Sequence, residues 1–159
     1  MTLARSPLRA AACLVAMSIA LAGCGSMSVG SGTGASNAAA GYVAELRAEN
    51  GLPPLAPDSR LEKAALEQAR YMAAKARMNH TTGFGADFTT RMARNEIPGP
   101  AAENIAAGRF DTRKVIEVWK GSPPHRRNML DARMGRFGLA YATSDKNPEV
   151  RYWAMVLAK

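Results

Sequence analysis

Along most of the chain the apolar positions follow helical spacing first and strand spacing last. Tyr42, Val43 and Leu46 fall on one side of a short helix over Ala38 to Glu49, which Asn50-Gly51 closes with a left-handed ending. Pro53, Pro54 and Pro57 then forbid helix. Leu61, Ala65, Ala69, Met72 and Ala76 recur at three- and four-residue steps, and Ser59-x-x-Glu62 ahead of them fits a capping box. Thr89 to Asn95 suits one or two further turns. Asp111 suits the cap of another helix, with Val115, Val118 and Trp119 directed inward.

The last third changes period. Phe137, Leu139 and Tyr141 alternate with Gly138, Ala140 and Ala142, so the spacing predicts a strand with one bulky face and one small enough for a helix to approach closely. Tyr152 to Leu157 is apolar on both faces, as in a central strand covered on each side, and Asp145 to Pro148 supplies the turn between the two. Helices first, strands last and a sheet buried on both faces predict an α+β fold, a three-layer αβα sandwich around a central antiparallel sheet.

The N-terminus has a different pattern. Arg5 and Arg9 precede an apolar run from Ala10 to Ala20 that is short for a membrane span, and Leu21-Ala22-Gly23-Cys24 follows. This reads as a secretory signal, and its last four residues resemble a bacterial lipobox. The resemblance implies cleavage before Cys24, acylation of that cysteine and a membrane anchor made of acyl chains. Gly25 after the cysteine favours the outer membrane in a host that has two. From Gly25 to Asn37 the residues are almost all Gly, Ser, Ala and Thr, which predicts a flexible leash with a reach of roughly 20 Å. The expected organisation is a signal peptide over 1–23, an acylated cysteine and linker over 24–37, and one domain over 38–159.

Composition narrows the chemistry. The 2 cysteines are Cys13, within the signal, and Cys24, so the domain has no thiol nucleophile, thiolate ligand or disulfide. The formal charge of +8 over 159 residues falls to +6 without Arg5 and Arg9, which suits a solvated surface near anionic lipid or wall polymer. Lys and Arg are scattered without an aromatic-basic cluster, which argues against nucleic acid as a partner. Nothing in the pattern sets an oligomeric state.

The chain has 2 histidines, and one stands in the run Ser122-Pro123-Pro124-His125-Arg126. Local rules make this a helix start, with Ser122 as the cap and a proline in the first turn. The other, His80, lies 45 residues earlier, too far for spacing alone to reveal a shared site.

A resemblance brings them together. Leu52-Pro53-Pro54-Leu55, Asn79-His80-Thr81, Ala102-Glu103-Asn104-Ile105, Val118-Trp119, Ser122-Pro123-Pro124-His125-Arg126, Asn128-Met129-Leu130, Gly138-Leu139 and Tyr152-Trp153 occur in order. In their order and spacing they resemble the bacterial branch of the CAP superfamily, which comprises cysteine-rich secretory proteins, antigen 5, pathogenesis-related proteins and their SCP-like relatives. The resemblance implies an αβα sandwich with a cleft in which His80, Glu103 and His125 converge. Many eukaryotic members carry a second acid where this chain has Ser122, so a four-group site is incomplete. Ala102 stands where glycine is usual, which makes a positive φ there less favourable.

Two imidazoles and a carboxylate are suitable zinc ligands, which makes His80, His125 and Glu103 the candidate Zn2+ set. The sequence favours a noncatalytic, membrane-anchored envelope domain that binds a lipid or sterol-like molecule, or a divalent metal, in a cleft that Ser122 also borders. One alternative is a metal-dependent, peptidase-like hydrolase with Glu103 as general base. Against it, the chain has no His-Glu-x-x-His element and no Gly-x-Ser-x-Gly elbow. A Ser122/His125 dyad carries less weight than a capping serine, and a structural or signalling module is the remaining alternative.

Overall fold

The structure is a computed structural model that describes Met1 and residues 31–159. The expected signal peptide, the lipobox with Cys24 and the first half of the linker lie outside the described residues.

The elements run β1 (Gly32–Gly34), α1 (Ser36–Ala48), β2 (Ala56–Pro57), α2 (Ser59–Lys75), α3 (Phe88–Arg94), β3 (Ala101–Gly108), α4 (Thr112–Lys120), α5 (Pro123–Met129), β4 (Arg136–Ser144) and β5 (Asn147–Ala158). The sheet has the order β1-β4-β5-β3, antiparallel throughout, and β2 adds a short parallel pairing to β4. This is the α+β sandwich the sequence predicts.

The period-two pattern divides the core. On one face Phe137 and Leu139 of β4 and Trp153, Met155 and Leu157 of β5 pack with Val43 and Leu46 of α1, Val115, Ile116 and Trp119 of α4 and Met129 of α5. On the other, Ala140, Ala142, Ala154 and Val156 meet the alanine-rich stripe of α2 together with Met92 of α3. The small face has the predicted consequence. A Cβ at Gly138 would stand 2.0 Å from the backbone nitrogen of Glu62, so α2 lies directly on β4 there.

Several local expectations change. Gly32–Gly34, expected within a flexible leash, is an edge strand on β4, and Ser36 and Asn37 already belong to α1. The reason is again close approach, since a Cβ at Gly34 would meet the Glu62 carboxylate. That carboxylate accepts the Ser36 N–H at 3.0 Å, so Glu62 does not close a capping box. Asp58 caps α2 instead, accepting the N–H groups of Arg60 and Leu61 at 2.9 Å each.

Ala76, expected in the apolar stripe, ends α2 in a left-handed conformation with φ of 47°, and Ala73 is buried in its place. Tyr42 is exposed and lies beneath the Arg113 guanidinium, while Val118 is only half-buried. Asp111 does cap α4, accepting the Lys114 N–H at 2.7 Å. The strand pattern missed β3, whose eight residues contain Glu103 and Asn104 among alanines. Ala102 is extended within that strand, paired with Leu157.

Candidate functional site

The site grows from β3, an edge strand bonded to β5 on one side only. Its outward carbonyls are taken by side chains. The Trp119 indole N–H donates to Ile105 O at 3.1 Å, and the Asn128 amide reaches Glu103 O at 3.4 Å. Asn104 is fully buried; its amide N–H donates to the carbonyl of His125 at 3.0 Å while its oxygen accepts from Asn128 at 2.8 Å. Two asparagines therefore fasten α5, and His125 with it, to the strand that carries Glu103.

His80 lies in the loop between α2 and α3. The preceding residue is anchored by buried Gln68, whose amide donates to Asn79 O at 2.6 Å. His80 Nδ1 lies 2.8 Å from Glu103 Oε1, and the other carboxylate oxygen of Glu103 is ion-paired with Arg91. A carboxylate paired with a guanidinium accepts hydrogen bonds, so the contact is Nδ1–H to Oε1, and in the neutral form of the ring the lone pair is on Nε2.

Arg91 is the residue sequence reasoning missed. Its side chain is fully buried on α3, and besides Glu103 it donates to the backbone carbonyls of His80 at 3.2 Å and Ala86 at 2.5 Å. Arg91 thus holds His80 twice, by its backbone and, through Glu103, by its ring. An arginine among Thr90, Met92 and Ala93 carries no sequence sign of burial; only the site's need for a counter-ion to Glu103 could have pointed to it.

His125 is held differently. Ser122 occupies the N-cap position of α5 with Pro123 and Pro124 behind it, as expected, yet its hydroxyl makes no capping bond. It lies 2.8 Å from His125 Nδ1 instead. The ring packs near Trp119 with centroids 6.4 Å apart. Burial, and after it the positive charge that His80 carries when protonated, hold the His125 imidazole below its ordinary value.

The arrangement therefore brings His80 and Glu103 into direct contact, places His125 within electrostatic reach of His80, and joins Ser122 to His125. Among the described residues no three His, Cys, Asp or Glu side chains form a cluster able to hold a metal ion. Both oxygens of Glu103 are engaged, so it stands behind His80 as an orienting group, and the donors open to an ion are the two imidazoles.

Comparison with known proteins agrees with the fold. The chain is 30% identical over 99 residues to the uncharacterized protein YkwD of Bacillus subtilis, a match covering 62% of this chain and 38% of that protein's length. Its structure is similar to an outer surface protein of Borrelia burgdorferi, with a TM-score of 0.70, 22% identity and coverage of 82% of this chain and 98% of the other. It is also similar to an SCP-domain extracellular protein of Bacillus anthracis, with a TM-score of 0.65, 21% identity and coverage of 78% and 41%. At these identities the structural likeness concerns the fold. The family profile described as "Cysteine-rich secretory protein family", or CAP, matches residues 40–157, and the chain belongs to that family.

Proposed function

We propose that the protein is an exported binding module of the cell envelope, anchored through Cys24, whose capturing centre is the His80/His125 pair. The N-terminal signal pattern and relatives named as outer-surface or extracellular proteins support export. Among the described residues no helix is long and apolar enough to cross a membrane. The ligand class that two neutral imidazoles favour is a divalent cation, with Zn2+ first. One observation carries this reading: the Glu103 carboxylate, itself clamped by Arg91, takes the Nδ1 proton of His80 and leaves Nε2 as a free donor on a ring whose side chain is 55% exposed.

A lipid or sterol-like ligand is the second reading. It rests on a cavity of about 300 Å³ lined by Phe88, Met92, Ile97 and Ala101, on the side of β3 where α3 packs. This cavity is separate from the imidazole pair, so the two ligands would not compete for the same atoms.

Titration calorimetry of the full chain with Zn2+ at pH 7.5 tests the first reading. Loss of a group that merely orients a ligand costs about 10–100-fold in metal affinity, so His80→Ala and His125→Ala should each cost at least that. No binding by the wild type, or unchanged binding by either variant, would remove the metal reading. Hydrolysis of peptides by the same preparation, lost on chelation, would replace it with the hydrolase.

A further inference from the structure

We propose that the loop joining α2 to α3 is a lipid-contact device, in which Phe84 and Met78 enter the interface of an anionic membrane while Lys75 and Arg77 meet its headgroup phosphates. The inference goes beyond the binding module and does not depend on what His80 and His125 hold.

Phe84 is fully exposed and Met78 is 53% exposed, and both lie in this one loop. Single exposed apolar residues are ordinary on a protein surface. What sets this pair apart is the bracing beneath it. Arg91 binds the carbonyls of His80 and Ala86, Arg94 donates to Gly85 O at 2.6 Å, and Asp87 caps α3 immediately afterwards through the Thr90 N–H at 2.9 Å. Two arginines thus fix the backbone on both sides of Phe84 and leave the ring without a protein partner.

The charge beside it is mainly positive, and the one acidic residue of the loop, Asp87, accepts from the N–H and the hydroxyl of Thr90. Lys75, Arg77, Asn79, Thr81 and Thr82 line a recess of about 250 Å³, and no acidic residue occurs from Lys75 to Ala86. Among the described residues neither Lys75 nor Arg77 is in an ion pair. Phe84 follows Thr82 by two residues, so their Cα atoms lie within about 7 Å and the backbone that carries the ring is next to the cationic recess. A bilayer interface needs an apolar side chain and cations at headgroup depth, with no matching shape. The loop offers that combination.

The buried tryptophans make a local test possible. Trp119 and Trp153 are both 0% exposed, so a Phe84→Trp substitution in the full-length chain adds the only solvent-facing indole among the described residues. Because Phe84 packs against nothing, the variant should fold as the wild type does. With vesicles of phosphatidylcholine and phosphatidylglycerol, its emission should shift to the blue and be quenched by brominated acyl chains, while the wild-type signal stays fixed. Lys75→Glu with Arg77→Glu should raise the lipid concentration needed for half of the shift by about tenfold or more. Solvent-like, unquenched emission from vesicle-bound chain would overturn the proposal. So would a blue shift that needs no vesicles and grows with protein concentration, which would mark a second copy of the chain as the occupant. Equal shifts with and without phosphatidylglycerol would overturn the role of the two cations.

Discussion

His80 and His125 are the same residue type, yet the fold supports them by opposite means. His80 sits on a loop, its side chain more than half exposed, and is held by charge: Glu103 takes its ring proton, and Arg91 balances Glu103 and grips the His80 backbone. His125 sits on a helix, beside a buried tryptophan, with a neutral hydroxyl at its Nδ1. Charge can fix a ring that packing leaves loose. Packing can fix a ring that has no counter-ion. Perturbations of the charged network should therefore reach His80 first, and perturbations of α5 should reach His125 first.

The largest effect is expected from removing the charge at the base of the His80 side. Arg91 and Glu103 are both buried, with side-chain exposures of 0% and 3%, and taking away one partner leaves the other charge uncompensated in the interior. Arg91→Met should cost about 3–5 kcal/mol of stability in urea unfolding, with Arg91→Lys losing less because it keeps the charge. In nitrogen-15 NMR the His80 ring signals should change in both variants while those of His125 hold. A loss below about 1 kcal/mol for Arg91→Met would show that the pair behaves as a surface ion pair does.

The same division explains what could be read from the sequence. The αβα layering was legible because β4 alternates bulky and small residues, β5 is apolar on both faces and α2 carries a helical stripe: Leu139 and Ala140 land on opposite cores, as their positions require. Strand β3 was not legible, since Ala101, Ala102, Ala106 and Ala107 around Glu103 and Asn104 give no period, and its partner β5 lies far along the chain. Both histidines and Glu103 were reached through the resemblance alone. Their support was not: Arg91 is a surface residue by type, buried here only because three acceptors converge on it from residues 80, 86 and 103. Gly32 and Gly34 misled for a related reason. A glycine-rich run reads as a leash, and the same lack of side chains is what lets β1 lie under α2.

On the His125 side the expected effect is smaller. Ser122 was expected to cap α5, and Ser122→Ala would then act through the helix terminus. In the structure the hydroxyl bonds only the ring, so the substitution should cost about 0.5–1.5 kcal/mol, the worth of one hydrogen bond. The His125 Nδ1 resonance should move while His80 stays as it is. A comparable loss with an unmoved His125 resonance would return Ser122 to the role of a cap.

The smallest effect, and the sharpest test of the comparison, is the titration of His125 itself. Burial is the larger cause that lowers its pKa and the charge of His80 the second, so its midpoint by NMR should fall below the unperturbed value of about 6.5. The sign for stability follows. Between the folded value and about 6.5 the unfolded chain binds more protons than the folded one, so this contribution is complete above about pH 6.5 and is lost as pH falls through the folded value. His80→Ala removes only the second cause. The midpoint of His125 should then rise and still remain below 6.5, because the ring stays packed beside Trp119. If His80→Ala brought it fully to 6.5, the imidazole would be governed by its neighbour's charge, and the contrast between a ring held by charge and a ring held by packing would fail.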